Sequence, residues 1–183
     1  MKKIFLAVIC ALATAAAHAQ TKLDISVPWG PNEFHSQNAA RFAERINKET
    51  KGELLLTTHP GGTLGVKANE SLRAVADGVV PMGEYALFQN ASRGAALAVE
   101  TLPFLVGDYE QLKVMHKSFR PIWEGILAKN NQKALYMVPW PNQFFFTKKA
   151  LASIKDLEGI KMRSLDKLKI GRASCRERVC YPV

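Results

Sequence analysis

Lys22-Leu23-Asp24-Ile25-Ser26-Val27 alternates polar and apolar side chains and then stops at Pro28-Trp29-Gly30-Pro31. Alternation with period two is the mark of a strand that buries one face, and the Pro/Gly cluster ends it. Ser36 follows as an expected helix cap, with Ala39, Phe42, Ala43 and Ile46 forming one apolar stripe at helical spacing and Gly52 as the left-handed stop. Leu54-Leu55-Leu56-Thr57 reads as a second strand, broken by Pro60-Gly61-Gly62. A second helix is expected from about Lys67 to Asp77, with Leu72, Val75 and Ala76 inward and Gly78 closing it. A short strand is expected over Val79 to Met82, interrupted by Pro81. Strands separated by helices cannot pair as hairpins, so the order predicts an α/β domain with parallel strands joined by crossovers.

Further along, Asp108 with Gln111 has the spacing of a capping box. It opens a long helix through Leu112, Met115, Phe119, Ile122 and Ile126, with a bend expected at Pro121. Ala134-Leu135-Tyr136-Met137-Val138 reads as another strand, Ser153-Ile154-Lys155-Asp156 as a capped helical turn ended by Gly159, and Ile160 to Arg163 as a further strand.

The N-terminus carries a different signal. Lys2-Lys3 precede the apolar run Ile4 to Ala17, which is short for a bilayer span, and Ala17-His18-Ala19 fits a small-x-small cleavage pattern. Residues 1–19 are expected to be a cleavable signal peptide, which sends the chain to the periplasm. Cys10 would leave with it, and Ile9 is too bulky for lipoprotein processing. No later run is long and apolar enough to insert stably in a membrane. Cys175 and Cys180 sit together near the C-terminus, so neither a disulfide framework nor a zinc site is indicated. The histidines at 18, 35, 59 and 116 are scattered with no i, i+4 partner, and no metal or cofactor is expected.

The net charge of +9 invites a nucleic-acid reading, yet Lys2, Lys3, Arg172, Arg176 and Arg178 lie at the ends of the chain. Elsewhere the charges alternate in sign, without the basic, aromatic-studded run that tracks a phosphate backbone, so nucleic acid is not an expected partner. From Ile170 onward the apolar period is lost. Residues 170–183 have the texture of translated sequencing-adapter read-through and are expected to be a non-native tail.

Catalytic signatures are missing from the sequence: no Gly-x-Ser-x-Gly, no His-Glu-x-x-His and no Walker loop. Asp108 and Glu110 suit a helix start better than acid–base chemistry. A periplasmic α/β enzyme acting on an organic acid stays as the alternative, as does a ligand-presenting partner of a sensor kinase.

Four pieces in fixed order carry a resemblance. They are Pro60-Gly61-Gly62-Thr63-Leu64-Gly65, Ala74-Val75-Ala76-Asp77-Gly78-Val79-Val80-Pro81-Met82-Gly83, Leu102-Pro103-Phe104-Leu105, and Asp156-Leu157-Glu158-Gly159-Ile160-Lys161-Met162-Arg163. Together, behind a secretion signal, they resemble the DctP-like substrate-binding proteins of tripartite ATP-independent periplasmic (TRAP) transporters, from about Leu23 to about Lys167. The resemblance implies a periplasmic-binding-protein-like fold of two α/β lobes. Here it would supply lobe I over residues 20–143 and the start of lobe II over 144–169, the chain being expected to be truncated there. It also implies a non-enzymatic receptor that passes a small organic acid to the membrane subunits of a TRAP transporter. Its helix–Gly-x-Lys-x-Arg pattern nominates Arg163 to hold the carboxylate, a role suited to a planar guanidinium with paired donors. Lys149 lies where some relatives carry a second basic residue.

Position nominates the other candidates. Trp29 and Trp140 each follow a strand, where ligands of open α/β sheets sit. Phe34 and Gln143, with Phe145, are their neighbours, and Glu84-Tyr85 follows the third strand. Such an aromatic setting suggests an aromatic or 2-oxo acid. Gly61-Gly62-Thr63 has two readings: backbone N–H groups offered to an anion, or a tight turn against the neighbouring lobe.

Overall fold

The structure, a computed structural model, describes residues 20–102, 105–141, 148 and 150–157. The expected signal peptide, the tail, and the candidates Gln143, Lys149 and Arg163 lie outside the described residues, as do Gly159 and the strand expected from Ile160. The chain divides into two compact units, the first ending at Tyr85 and the second beginning at Ala86.

The first unit has the order β1 (Thr21–Ser26), α1 (Phe34–Glu49), β2 (Leu54–His59), α2 (Ser71–Ala76) and β3 (Met82–Gly83). All pairing is parallel, in the spatial order β2-β1-β3, with Ile25 opposite Met82 and Ser26 opposite Gly83 and His59. The alternation along β1 sends Ile25 to the core beside Val27, Ala39, Ala43 and Leu56, with Leu23, Trp29, Phe42, Ile46, Leu54 and Met82 packed around them. The expected stripe of α1 is therefore its buried face, and the two alanines let the helix lie close on the sheet.

The start of α1 differs from expectation, and its end holds Gly52 in the expected left-handed conformation with Lys51 before it. The helix begins at Phe34 with Glu33 at the cap position, and Ser36 is buried inside the first turn, its Oγ donating to the Trp29 carbonyl at 3.0 Å. A serine hydroxyl can serve a neighbouring loop as readily as its own helix, and here the loop takes it. At the C-terminus Lys51 takes the first left-handed position (φ 51°) and Gly52 the next. Gly52 N–H donates to Asn47 O and Lys51 N–H to Lys48 O, the paired bonds of a Schellman closure.

The last turn of α1 also serves β2, whose outer side has no strand against it among the described residues. The Asn47 amide donates to Leu56 O (3.0 Å) and accepts from Leu56 N–H (2.7 Å), and Thr50 Oγ1 lies at 3.2–3.3 Å from both backbone groups of Leu54. Residues 54 and 56 turn the same way along the strand, so one helix end satisfies consecutive outward groups.

α2 is shorter than the expected Lys67–Asp77. Glu70 N–H bonds Lys67 O and the Ser71 hydroxyl takes the same carbonyl, so a turn precedes the helix. Gly78 closes it with φ 72° as expected. The strand expected over Val79 to Met82 is instead Met82–Gly83: Val79 is exposed, and Pro81 has no N–H for a ladder, so pairing starts only after it.

The second unit holds α3 (Tyr109–Lys129) and two 3₁₀ segments, Leu87–Arg93 and Ala95–Thr101. The Asp108 carboxylate accepts from Gln111 N–H at 2.8 Å, while the Gln111 side chain reaches back to Gly107 N–H, one residue beyond the reciprocal bond of a standard capping box. α3 is unbroken across Pro121. Its buried residues are Met115, Trp123 and Leu127; Ile122, expected inward, is 48% exposed. Trp123 is fully buried and donates its indole N–H to Ala96 O at 2.7 Å, with His116 edge-on to the ring and Phe119 beside it. That bond turns position 123, in place of 122, towards the 3₁₀ segment Ala95–Thr101.

The strand expected over Ala134 to Val138 is not formed: residues 132–140 carry no regular structure. A strand needs a ladder partner, and no described segment pairs with this one. The turn expected at Ser153 is a 3₁₀ segment, Ile154–Leu157, where Asp156 Oδ2 accepts from the backbone of Ala152 and Ser153; those bonds hold its carboxyl below the usual range. Among the described residues no helix is long and apolar enough to cross a membrane, and no group of acidic, His or Cys side chains could hold a metal ion.

Candidate functional site

Parallel pairing puts the C-terminal ends of β1 and β3 side by side, so the residues that follow them meet. Glu84 N–H bonds Ser26 O at 2.9 Å and continues the pairing one step past β3. On the β1 side the chain runs through the Trp29 loop into α1. That loop is fixed from below: Gly61 N–H donates to Trp29 O at 2.6 Å and Gly62 N–H to Val27 O at 3.1 Å. The glycines reach these acceptors because both hold positive φ, 71° and 67°. Gly61-Gly62 form a tight turn, and both glycine N–H groups are spent on the Trp29 loop of the same unit; the expected packing on a neighbouring lobe is not part of this contact.

Three sequence candidates converge on a residue that sequence reasoning passed over. His35, 3% exposed, stacks on Trp29 with ring centroids 4.8 Å apart and an interplanar angle of 28°, and lies against Phe34 at 4.0 Å. Its Nδ1 is 2.9 Å from Glu84 Oε1. Trp29, Phe34 and Glu84 are thus brought together around one imidazole. His35 was missed because helical spacing tests a histidine for i, i+4 partners, whereas its partners come from a strand end. The signal that could have found it was positional: it opens the helix after β1, and Glu84 follows the strand that pairs with β1.

The electrostatics follow from burial. Removing the imidazole from water disfavours its charged form and lowers its pKa. When Glu84 is ionised it can only accept, and the hydrogen in the His35–Glu84 contact then sits on Nδ1. Next door, burial pushes the Tyr85 phenol up to about 12. Phe34 is 40% exposed and Trp29 half-buried, so the cluster presents aromatic surface with a carboxylate beside it. Such a group can stack on and hydrogen-bond a small molecule. Trp140, half-buried between Pro139 and Pro141, belongs to the second unit.

Two other histidines pair with carboxylates: His59 Nε2 with Asp24 Oδ1 at 2.7 Å across β1 and β2, and His116 with Glu100 beside Trp123. The first is largely open to solvent, and the second braces the 3₁₀ segment against α3.

The family described as bacterial extracellular solute-binding protein, family 7 (DctP), matches residues 25–171. Among solved structures, a TRAP solute-binding protein from an unidentified marine metagenome microbe, specific for pyroglutamate and crystallised with it, is 37% identical. It covers 80% of this chain and 48% of its own, with a TM-score of 0.74. DctP7 of Bordetella pertussis, an extracytoplasmic solute receptor binding pyroglutamic acid, is 28% identical over 79% of this chain and 48% of its own, with a TM-score of 0.75. DctP6 of the same organism, described in the same terms, is 27% identical over 89% and 53%, with a TM-score of 0.81. The chain spans about half the length of each of these structures. No curated protein sequence matches it.

Proposed function

The chain belongs to the bacterial extracellular solute-binding proteins of family 7, and from that premise we propose that it captures a small organic acid in the periplasm for a TRAP-type secondary transporter. The family consists of solute receptors, not catalysts, which removes the enzyme alternative.

The acid we assign is pyroglutamate or a compact ring acid like it. The observation that carries this is the convergence of Trp29, Phe34 and Glu84 on His35 at the paired ends of β1 and β3. A flat five-membered lactam offers a face to stack, an N–H to donate and a carboxylate to be held. Three relatives at 27–37% identity bind that compound, which favours it over the aryl and 2-oxo acids suggested by aromatic composition alone. Arg163 is proposed to hold the carboxylate, with Trp140, Gln143 and Lys149 as further contacts from lobe II and its approach. The signal peptide over 1–19 and the lobe division near residue 143 belong to the same proposal.

Calorimetric titration of the protein produced from the gene's full reading frame tests it. L-pyroglutamate is expected to bind at micromolar concentration or below, a free energy of about −8 kcal/mol or stronger. Phenylpyruvate and succinate are expected to bind more weakly. Absence of heat with every acid, or preference for the aryl acid, overturns the assignment.

A further inference from the structure

We propose that Gln20 is a modification site: once the chain is cut after Ala19, the new amino group closes on its own side-chain amide to give a 5-oxoproline ring, and the Gly52 carbonyl slows that closure in the folded protein. The inference rests on the signal-peptide reading above and goes beyond it, because it concerns what becomes of the new terminus.

A glutamine at a chain start carries both partners of a five-membered lactam. Cutting after Ala19 frees an α-amine, and α-amines titrate near enough to neutrality for a fraction of free base to be present there. The lone pair of that nitrogen attacks Cδ. The N–Cδ bond forms, the Cδ–Nε2 bond breaks, and one amine hydrogen passes to Nε2, which leaves as ammonia. The step consumes no oxidant, reductant or water. Its product has an amide where the amine stood, so the terminus loses its positive charge and offers an aminopeptidase no amine to grip.

Gln20 is exposed, so no packing opposes closure. The fold restrains it at one point. Gln20 Nε2 donates to Gly52 O at 2.9 Å, so the nitrogen that has to leave is the one the protein holds. The acceptor is fixed, since Gly52 sits at φ 84° with its N–H on Asn47 O. One residue on, Thr21 N–H donates to Glu53 O at 2.8 Å and anchors the backbone while the side chain reaches across to the turn before β2. Closure requires Cδ to turn back onto its own amine, and the Gly52 bond has to be given up first. An exposed hydrogen bond of ordinary strength slows that step by about fivefold.

The full-reading-frame protein, exported to a bacterial periplasm and purified, is followed by mass spectrometry of its N-terminal peptide during incubation near neutral pH, folded and in guanidinium chloride. The peptide is expected to start at residue 20 and to become lighter by one ammonia, about fivefold more slowly in the folded protein. If the isolated protein is already closed, a chain with residues 1–19 replaced by a cleavable tag supplies open starting material. Gln20→Ala is expected to lose no ammonia from this peptide. A peptide that starts at Gln20 and keeps its open mass, folded and unfolded, overturns this inference alone. Closure at the same rate in both overturns the role given to Gly52. A chain still carrying residues 1–19, or cut elsewhere, overturns the signal-peptide reading and this one with it.

Discussion

His35 and Glu84 stand 49 residues apart in the chain and 2.9 Å apart in space, joining the first turn of α1 to the end of β3. The bond crosses the sheet end, so it ties together elements that local sequence leaves independent. His35→Leu removes the donor and leaves a mostly buried carboxylate short of one partner. The expected loss is about 1–3 kcal/mol, measured by urea denaturation, with a smaller loss for Glu84→Gln.

Acid should weaken the same unit. The folded pKa of His35 is lowered from its ordinary 6.5 by burial. Between that lowered value and 6.5 the unfolded chain therefore binds more protons than the folded one. Stability is full above pH 6.5 and falls as the pH drops through the folded value. Urea midpoints measured from pH 7.5 down to 5 are expected to decline, and the His35→Asn variant to decline less. An identical slope in both would exclude His35 as a source.

Asn47 gives a cleaner structural test. Its amide both donates to and accepts from the backbone of Leu56, so Asn47→Leu strands two groups and is expected to cost about 2–4 kcal/mol. Asn47→Asp keeps the acceptor and loses the donor, and should fall between the two. Thermal unfolding ranks the three proteins.

Trp123 anchors the second unit. Replacement by Phe keeps most of the buried ring but leaves the Ala96 carbonyl without its indole donor, for an expected loss of about 1–3 kcal/mol; replacement by Ala is expected to cost about 3–5 kcal/mol. Ile122→Ala, one position along on the exposed side, should change stability by no more than about 0.5 kcal/mol. Equal effects at 122 and 123 would mean the helix faces the other way.

Ser26 runs in the opposite direction. Its hydroxyl is buried with no hydrogen-bond partner among the described residues. Ser26→Ala is expected to leave stability unchanged or to raise it by up to about 1 kcal/mol, read from the urea midpoint. A marked loss would reveal a partner for that oxygen.

The strand–helix order of the first unit was legible because alternation and helical stripes record which face each element buries, and Ile25, Ala39, Ala43 and Leu56 do meet. Element ends were less legible, because they are decided by contacts from elsewhere: the Trp29 carbonyl claimed Ser36, and Lys51 joined Gly52 in the left-handed region. Ile122 and Trp123 are adjacent, and apolar spacing could not choose between them; an indole hydrogen bond did. Residues 134–138 have strand character but no described neighbour to pair with. In the site, Trp29, Phe34 and Glu84 were readable from their places after strands. His35 was not, because nothing near it in sequence announces a partner 49 residues away.

The helix end that covers β2 bears on the chain's behaviour before it is fully folded. A bare outer strand is a template on which a second copy can zip its own backbone. With Asn47 and Thr50 already occupying the outward groups of Leu54 and Leu56, that template is filled by two short side chains acting as the stub of a fourth strand. A newly made molecule is thereby shielded from lateral self-association as soon as α1 docks, and loss of Asn47 should show first as turbidity in concentrated solution.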